Sequence, residues 1–213
     1  MERKKVSKSV LRRLPGYLNY LRSLGDEGHV HISATALANA LGMGEVQVRK
    51  DLAMVSDGGR PKIGYLREAL IEDIEQFLGY SNTHDAVLIG AGKLGQALLD
   101  YHGFDQFGLN ILAAFDISPK MEITEGGKPV YHISRLEEYC QENKVLMGII
   151  TVPGDKAQEV ADRLIGCGIK AIWTFAPQFL EVPPHILVQY ENMATSLAVL
   201  SMHLQDHIRE EKK

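Results

Sequence analysis

"LIGAGKLGQAL", residues 88–98, is the stretch on which the fold of the second half turns. An apolar run climbs into Gly90, glycines follow at 92 and 95 to complete G-x-G-x-x-G, and helix-compatible residues continue to Leu99. A strand that feeds a glycine turn opening a helix lets backbone N–H groups approach a phosphate. On its own the motif is weak. Here an acid, Asp116, stands 21 residues beyond Gly95, at the end of the next apolar run, "NILAAFD" (110–116). Together they make a dinucleotide fingerprint, with the pyrophosphate on Gly90, Ala91, Gly92, Lys93, Leu94 and Gly95. Asp116 would accept hydrogen bonds from the adenosine ribose, and its charge would repel a 2′-phosphate. The expected cofactor is therefore NAD(H) rather than NADP(H).

Downstream, strand-like and helix-like segments alternate. "KPVYH" (128–132), "LMGIITV" (146–152), "AIWTF" (171–175) and "ILVQY" (186–190) read as strands, with helices over 134–143 and 155–168. Continuous apolar strands between helices predict a Rossmann-type, doubly wound parallel sheet in an α/β chain. Thr151, Val152 and Pro153 end the fourth strand, where such a sheet presents a nicotinamide, and "FAP" (175–177) would face them. A catalytic relay is not legible. No Tyr-x-x-x-Lys occurs: Tyr131 and Tyr139 are followed four residues later by Arg135 and Asn143. The eight histidines form no pattern with supporting acids. A dehydrogenase needs such a proton relay, so the cofactor is expected to be bound rather than consumed, with no catalytic residue and no enzyme activity. Two cysteines suggest neither a disulfide framework nor a metal cluster.

Charge divides the chain. Residues 1–67 hold 12 Lys+Arg against 6 Asp+Glu, whereas 68–213 hold 11 against 21. A basic front half on an acidic chain points to a polyanion partner for that half. In it, Leu11, Leu14, Leu18, Leu21 and Leu24 recur at helical spacing, with a start or bend expected near Pro15. Ser33 is placed to cap a short helix, Gly42 and Gly44 supply a turn, and 45–55 reads as a second helix. Val48, Leu52 and Val55 would face the core, leaving Gln47, Arg49, Lys50 and Asp51 on the flanks and outside. Gln, Arg and Lys there have the donors that base edges and phosphates require. "SDGGRPKIGYL" (56–66) then reads as a hairpin wing with Arg60 and Lys62 at its tip. An amphipathic helix follows from Leu66 to Leu78.

No apolar run approaches a membrane span, and "MERKKVSKSV" lacks a signal peptide's apolar core. A soluble cytoplasmic protein without membrane or metal is expected. The domain expectation is a winged helix-turn-helix over 1–80, a dinucleotide domain over 85–190 and a C-terminal helix over 191–213.

"RRLPGYL", "QVRKDL", "IGYL", "IGAGKLGQAL", "AAFD", "TVP", "AQEVADRL", "GIKAIWTFAP" and "LAVLS" occur in this order. Across roughly residues 9–204 they resemble the Rex family of bacterial redox-sensing repressors. The resemblance implies a homodimer whose last helix swaps onto the partner subunit. It also implies palindromic operator DNA held when NAD+ dominates and released when NADH binds. By position it assigns DNA contacts to Gln47, Arg49, Lys50, Arg60 and Lys62, and a redox-discriminating role near the nicotinamide to Tyr101. Leu197, Leu200 and Leu204 would stripe the swapped helix; periodicity alone says only that this helix is amphipathic. Where many members pair an Arg in the first helix with an Asp before the last, this chain has Asn19 and Asn192. Thr174 replaces the usual Asn before "FAP", and "GGRPKIGY" stands where a glycine-richer wing turn is more common. Two alternatives follow: a repressor of this fold with a lost or retuned NADH response, and a small NAD-dependent oxidoreductase with an accessory domain.

Overall fold

The structure, a computed structural model, describes residues 6–25 and 30–211. Lys4 and Lys5 of the basic N-terminus lie outside them. The chain divides into two compact units, Met1–Asn82 with Gln106–Gly108, and Thr83–Asp105 with Leu109–Lys213.

The first unit begins with α1 (Lys8–Ser23), capped by the Ser7 hydroxyl, which accepts from the Val10 N–H at 3.4 Å. Pro15 lies inside this helix rather than at its start. An internal proline costs about 3 kcal/mol. Leu14, Tyr17, Leu18 and Leu21 are fully buried around it, each contributing about 1.5–3 kcal/mol of burial, so the helix continues through. Ser33 caps α2 (Ala34–Ala40), its Oγ accepting from the Ala36 N–H at 3.0 Å. Gly42, at φ +62°, turns the chain into α3 (Glu45–Val55).

Val48 and Leu52 of α3 are fully buried, as their spacing predicts. Asp51 is not on the outside. It is 3% exposed, because Arg13 donates to both carboxylate oxygens, at 2.7 and 2.9 Å, and the Tyr17 hydroxyl donates at 2.8 Å. Three residues from Val48, it shares the inward face; its partners lie 34 and 38 residues away, beyond any local pattern.

Strand β1 (His31–Ile32) pairs antiparallel with β2 (Tyr65–Leu66). Ahead of β2, Arg60 and Gly64 exchange two backbone hydrogen bonds of 2.9 Å, closing the wing tip. The third helix after α1, α4 (Arg67–Leu78), ends at Gly79 with φ +81°. Residues 106–108 rejoin this unit: Arg22 donates to Gln106 at 3.0 Å, and Phe107 meets Tyr80 edge-on at 5.1 Å.

In the second unit, β3 (His84–Ile89), α5 (Lys93–Leu99), β4 (Leu109–Asp116) and β5 (Val130–His132) come first. Then follow α6 (Leu136–Asn143), β6 (Met147–Ile150), α7 (Gly154–Gly166), β7 (Ala171–Thr174), β8 (Leu187–Tyr190) and α8 (Met193–Glu211). The strands form one sheet in the order β5-β4-β3-β6-β7-β8, every pair parallel. This is the Rossmann order, reversing direction between β3 and β6. Val87 and Ile89 pack into the core containing Leu136, Ala161 and Leu164, while Ala86 and Leu88 pack into the core containing Leu99 and Ile149. A strand buried on both faces is the reason the sequence reads as an unbroken apolar run. From residue 193 to residue 210 of α8 every residue is exposed, including Leu197, Leu200 and Leu204, so the apolar stripe over these residues is not covered by its own unit.

Removing Asp51 deletes the hydrogen bonds that join α3 to Arg13 and Tyr17 and leaves the partly exposed Arg13 without its carboxylate, so Asp51→Ala should lose about 1.5–3 kcal/mol of stability, measured by urea unfolding. Burial raises the Tyr17 hydroxyl from 10.0 to about 12, and raises the Cys140 thiol from 9.0 to about 12. Both stay neutral in the fold and ionise earlier when unfolded. Their stabilisation is therefore complete below about pH 9 and lost as pH rises to about 12. Thermal melts across that window should show the decline, reduced at its lower end by Cys140→Ala.

Candidate cofactor crevice and nucleic-acid interface

The C-terminal ends of β3 and β6 lie side by side at the point where strand order reverses. Open α/β sheets take ligands in this crevice. Gly90 leaves β3 with φ +104°, a left-handed conformation that a side chain disfavours. A Cβ there would come within 3.0 Å of Thr151 Oγ1 and Val152 Cγ1. The Thr151 hydroxyl donates to the carbonyls of Gly90 at 2.7 Å and Ile89 at 3.0 Å, so it braces the loop. Gln96 adds a second brace, its amide donating to the Ala91 carbonyl at 2.7 Å. Nothing in the sequence pattern marks Gln96 for this task.

The other two glycines differ in what they avoid. A Cβ on Gly95 would fall on the Gly90 carbonyl oxygen, so this glycine serves close packing of α5 on the strand. A Cβ on Gly92 meets nothing within 4 Å, and its φ of −70° suits any residue. No protein contact demands a glycine at 92; a ligand approaching the backbone would. Lys93 and Leu94 are exposed beside it. Asp116, at the end of β4, accepts from the Ala91 N–H and the Ser118 N–H, both at 2.8 Å. Its carboxylate is thus held against the loop, with lone pairs remaining for further donors.

Val152 is half-buried and Pro153 exposed. Tyr101 is 54% exposed and stands edge-on to Phe104 at 4.9 Å. Phe104 meets Trp173 at 5.5 Å, and Trp173 meets Phe175 at 4.9 Å, tying Tyr101 to the "FAP" turn by a row of aromatic contacts. Asn192 accepts from the Ala194 and Thr195 N–H groups, at 3.0 and 3.3 Å, and so caps α8. Asn19 is exposed on α1 in the other unit. Among the described residues no cluster of His, Cys, Asp and Glu could hold a metal ion, and no helix is long and apolar enough to cross a membrane.

In the first unit, Gln47, Arg49, Lys50, Arg60 and Lys62 are all exposed. Arg49, Arg60 and Lys62 line one groove with Ser33, Thr35 and Tyr65, so the second helix of the helix-turn-helix and the wing share a cationic surface. Lys62 holds φ +65°, unusual for a non-glycine residue. Arg49 is ion-paired with Glu45 one turn earlier. That i, i+4 spacing is legible in "EVQVR", residues 45–49. With α3 presenting these donors, the surface suits a phosphate backbone and base edges.

Residues 5–53 match the family profile described as the putative DNA-binding protein N-terminus, and 81–178 match the CoA binding domain. A redox-sensing transcriptional repressor Rex of Porphyromonas gingivalis is 44% identical over 197 residues, covering 92% of this chain and 90% of that protein. Its counterpart in Bacteroides fragilis is 40% identical with the same coverage. Among solved structures, RSP in complex with beta-NAD+ and operator DNA superposes with a TM-score of 0.87 at 35% identity, covering 98% of this chain and 97% of RSP. RSP in complex with beta-NADH superposes at 0.85 and 34% identity, covering 99% and 100%. Identity at this level along nearly the whole chain, on the same two-unit architecture, means that this chain belongs to the Rex family of redox-sensing transcriptional repressors.

Proposed function

We propose that this chain is a homodimeric repressor that holds operator DNA with NAD+ or without cofactor and releases it when NADH binds. One observation carries the reading: a glycine-loop crevice held by Thr151 and Asp116 shares a chain with a cationic winged helix. Gly90 to Gly95 receive the pyrophosphate, Asp116 the adenosine ribose, and Thr151, Val152 and Pro153 border the nicotinamide end, where Tyr101 distinguishes the redox states. On the DNA side, Gln47, Arg49 and Lys50 enter the major groove, and Arg60 and Lys62 follow the backbone from the wing. The bare stripe of α8 is covered by a second copy of the chain, onto which the helix swaps. Two-fold symmetry then sets two recognition helices about 34–36 Å apart on a palindrome. Such a protein works where the chromosome is, in the cytoplasm.

NADH acts by differential affinity for the two arrangements of the dimer. Asn19 and Asn192 bring no charges to that equilibrium. The Asn192 oxygen is already engaged in capping α8, which favours a second reading: operator binding that ignores the NADH/NAD+ ratio.

Titrating NADH and NAD+ into a protein–operator complex by fluorescence anisotropy separates the two. Release by NADH alone is expected; tight binding indifferent to both cofactors would leave a repressor without a sensor. Arg49→Ala should weaken operator binding about 10-fold or more, with unchanged NADH affinity; equal operator affinity would remove α3 from the groove. Gly92→Asp should fold normally and lose NADH binding in calorimetry, through charge and bulk at the pyrophosphate. Gly95→Ala should instead lower the melting temperature of the apoprotein, since its Cβ collides with protein backbone.

A further inference from the structure

Arg13 does more than neutralise Asp51. Its guanidinium also faces the side-chain amide of Gln47, one turn ahead of Asp51 on α3. Guanidinium has five N–H donors and no acceptor, so only the amide oxygen can turn toward it. In that orientation Gln47 accepts from Arg13 Nη1 at 2.9 Å and from Nε at 3.3 Å. The Arg13 head cannot swing away: Asp51 grips it through two hydrogen bonds, and Tyr17 and Asp51 are both buried. The hydrogen bond to Asp51 also raises the Arg13 pKa, keeping it charged.

From this geometry we infer that Arg13 is a positioning residue that makes Gln47 a donor-only reader of operator bases. A free glutamine can pair with adenine through both ends, its oxygen taking the N6 amine and its nitrogen giving to N7. With its oxygen committed to Arg13, Gln47 presents the amide nitrogen outward. It then selects groove acceptors (purine N7, guanine O6 or thymine O4) and is indifferent to an exocyclic amine. This narrows the adenine pairing that glutamine suggests in sequence. The inference rests on the proposal that α3 enters the major groove.

The test is anisotropy binding of the full-length protein to operator duplexes carrying single base analogues. One set lacks an acceptor (7-deazapurines, or a thymine analogue without O4). The other lacks the exocyclic amine (purine in place of adenine, or a cytosine analogue without N4). The position read by Gln47 is the one whose analogue sensitivity disappears in Gln47→Ala. There, acceptor deletion should weaken wild-type binding about fivefold or more, and amine deletion should leave it unchanged. Comparable losses from both deletions would overturn the inference, as would a Gln47→Ala profile identical to wild type at every position. Replacing both members of the ion pair with apolar groups (Arg13→Leu with Asp51→Leu) avoids leaving one charge unpaired. This double variant, its folding checked by thermal melt, should gain sensitivity to amine deletion because Gln47 is released; an unchanged pattern in the folded double variant would overturn the role of Arg13. Arg49→Ala run alongside keeps the two ideas apart. Full operator affinity in Arg49→Ala defeats the groove placement itself, whereas the Gln47 results bear only on how one base is read.

Discussion

What the second unit can hold depends on β3 standing between β4 and β6, parallel to both. That pairing brings three chain ends together: the Gly90 turn from β3, Asp116 from β4 and Thr151 from β6. Each then fastens another. Thr151 braces the Gly90 carbonyl and Asp116 receives the Ala91 N–H. A ligand entering the crevice meets donors and acceptors already held in place, so little further ordering opposes binding.

The first unit rests on a different constraint, the buried carboxylate of Asp51. Two hydrogen bonds from Arg13 and one from Tyr17 join α3 to α1 through charged and polar groups. Apolar packing by Val48 and Leu52 gives α3 its stability, but apolar contacts tolerate small slides. A carboxylate gripped by a planar guanidinium has directional requirements, and this defines how α3 is set against α1. Two exposed side chains of α3 meet polar partners within the same unit, Arg49 paired with Glu45 and Gln47 facing Arg13.

Much of this was legible in order along the chain. Gly90, Gly92, Gly95 and Asp116 declare themselves because loop, helix start and acid lie at fixed sequence distances imposed by one strand–helix–strand unit. The strands of the sheet, the Ser33 cap, the turn at Gly42 and the end of α4 at Gly79 are also local signals, and the structure has each of them. Pro15 is a local signal for a helix start or bend, and it is not the start: α1 begins at Lys8, with Leu14, Tyr17, Leu18 and Leu21 buried on either side of the proline. Asp51 misled because an acid read alone belongs in water. Only the distant Arg13 and Tyr17 make the interior acceptable to it.

By itself, then, the amino-acid order determined the two architectures, the dinucleotide loop and the exposed cationic residues of helix and wing, since those follow from periodicity and short spacings. Tertiary structure alone decided the different tasks of the three glycines, the turning of the Thr151 hydroxyl into a brace and the facing of the Gln47 amide by Arg13. These depend on which groups meet across the strands, or across the 34 positions that separate Gln47 from Arg13. A hydrogen bond is set by distance and direction in space, and neither is written in sequence separation.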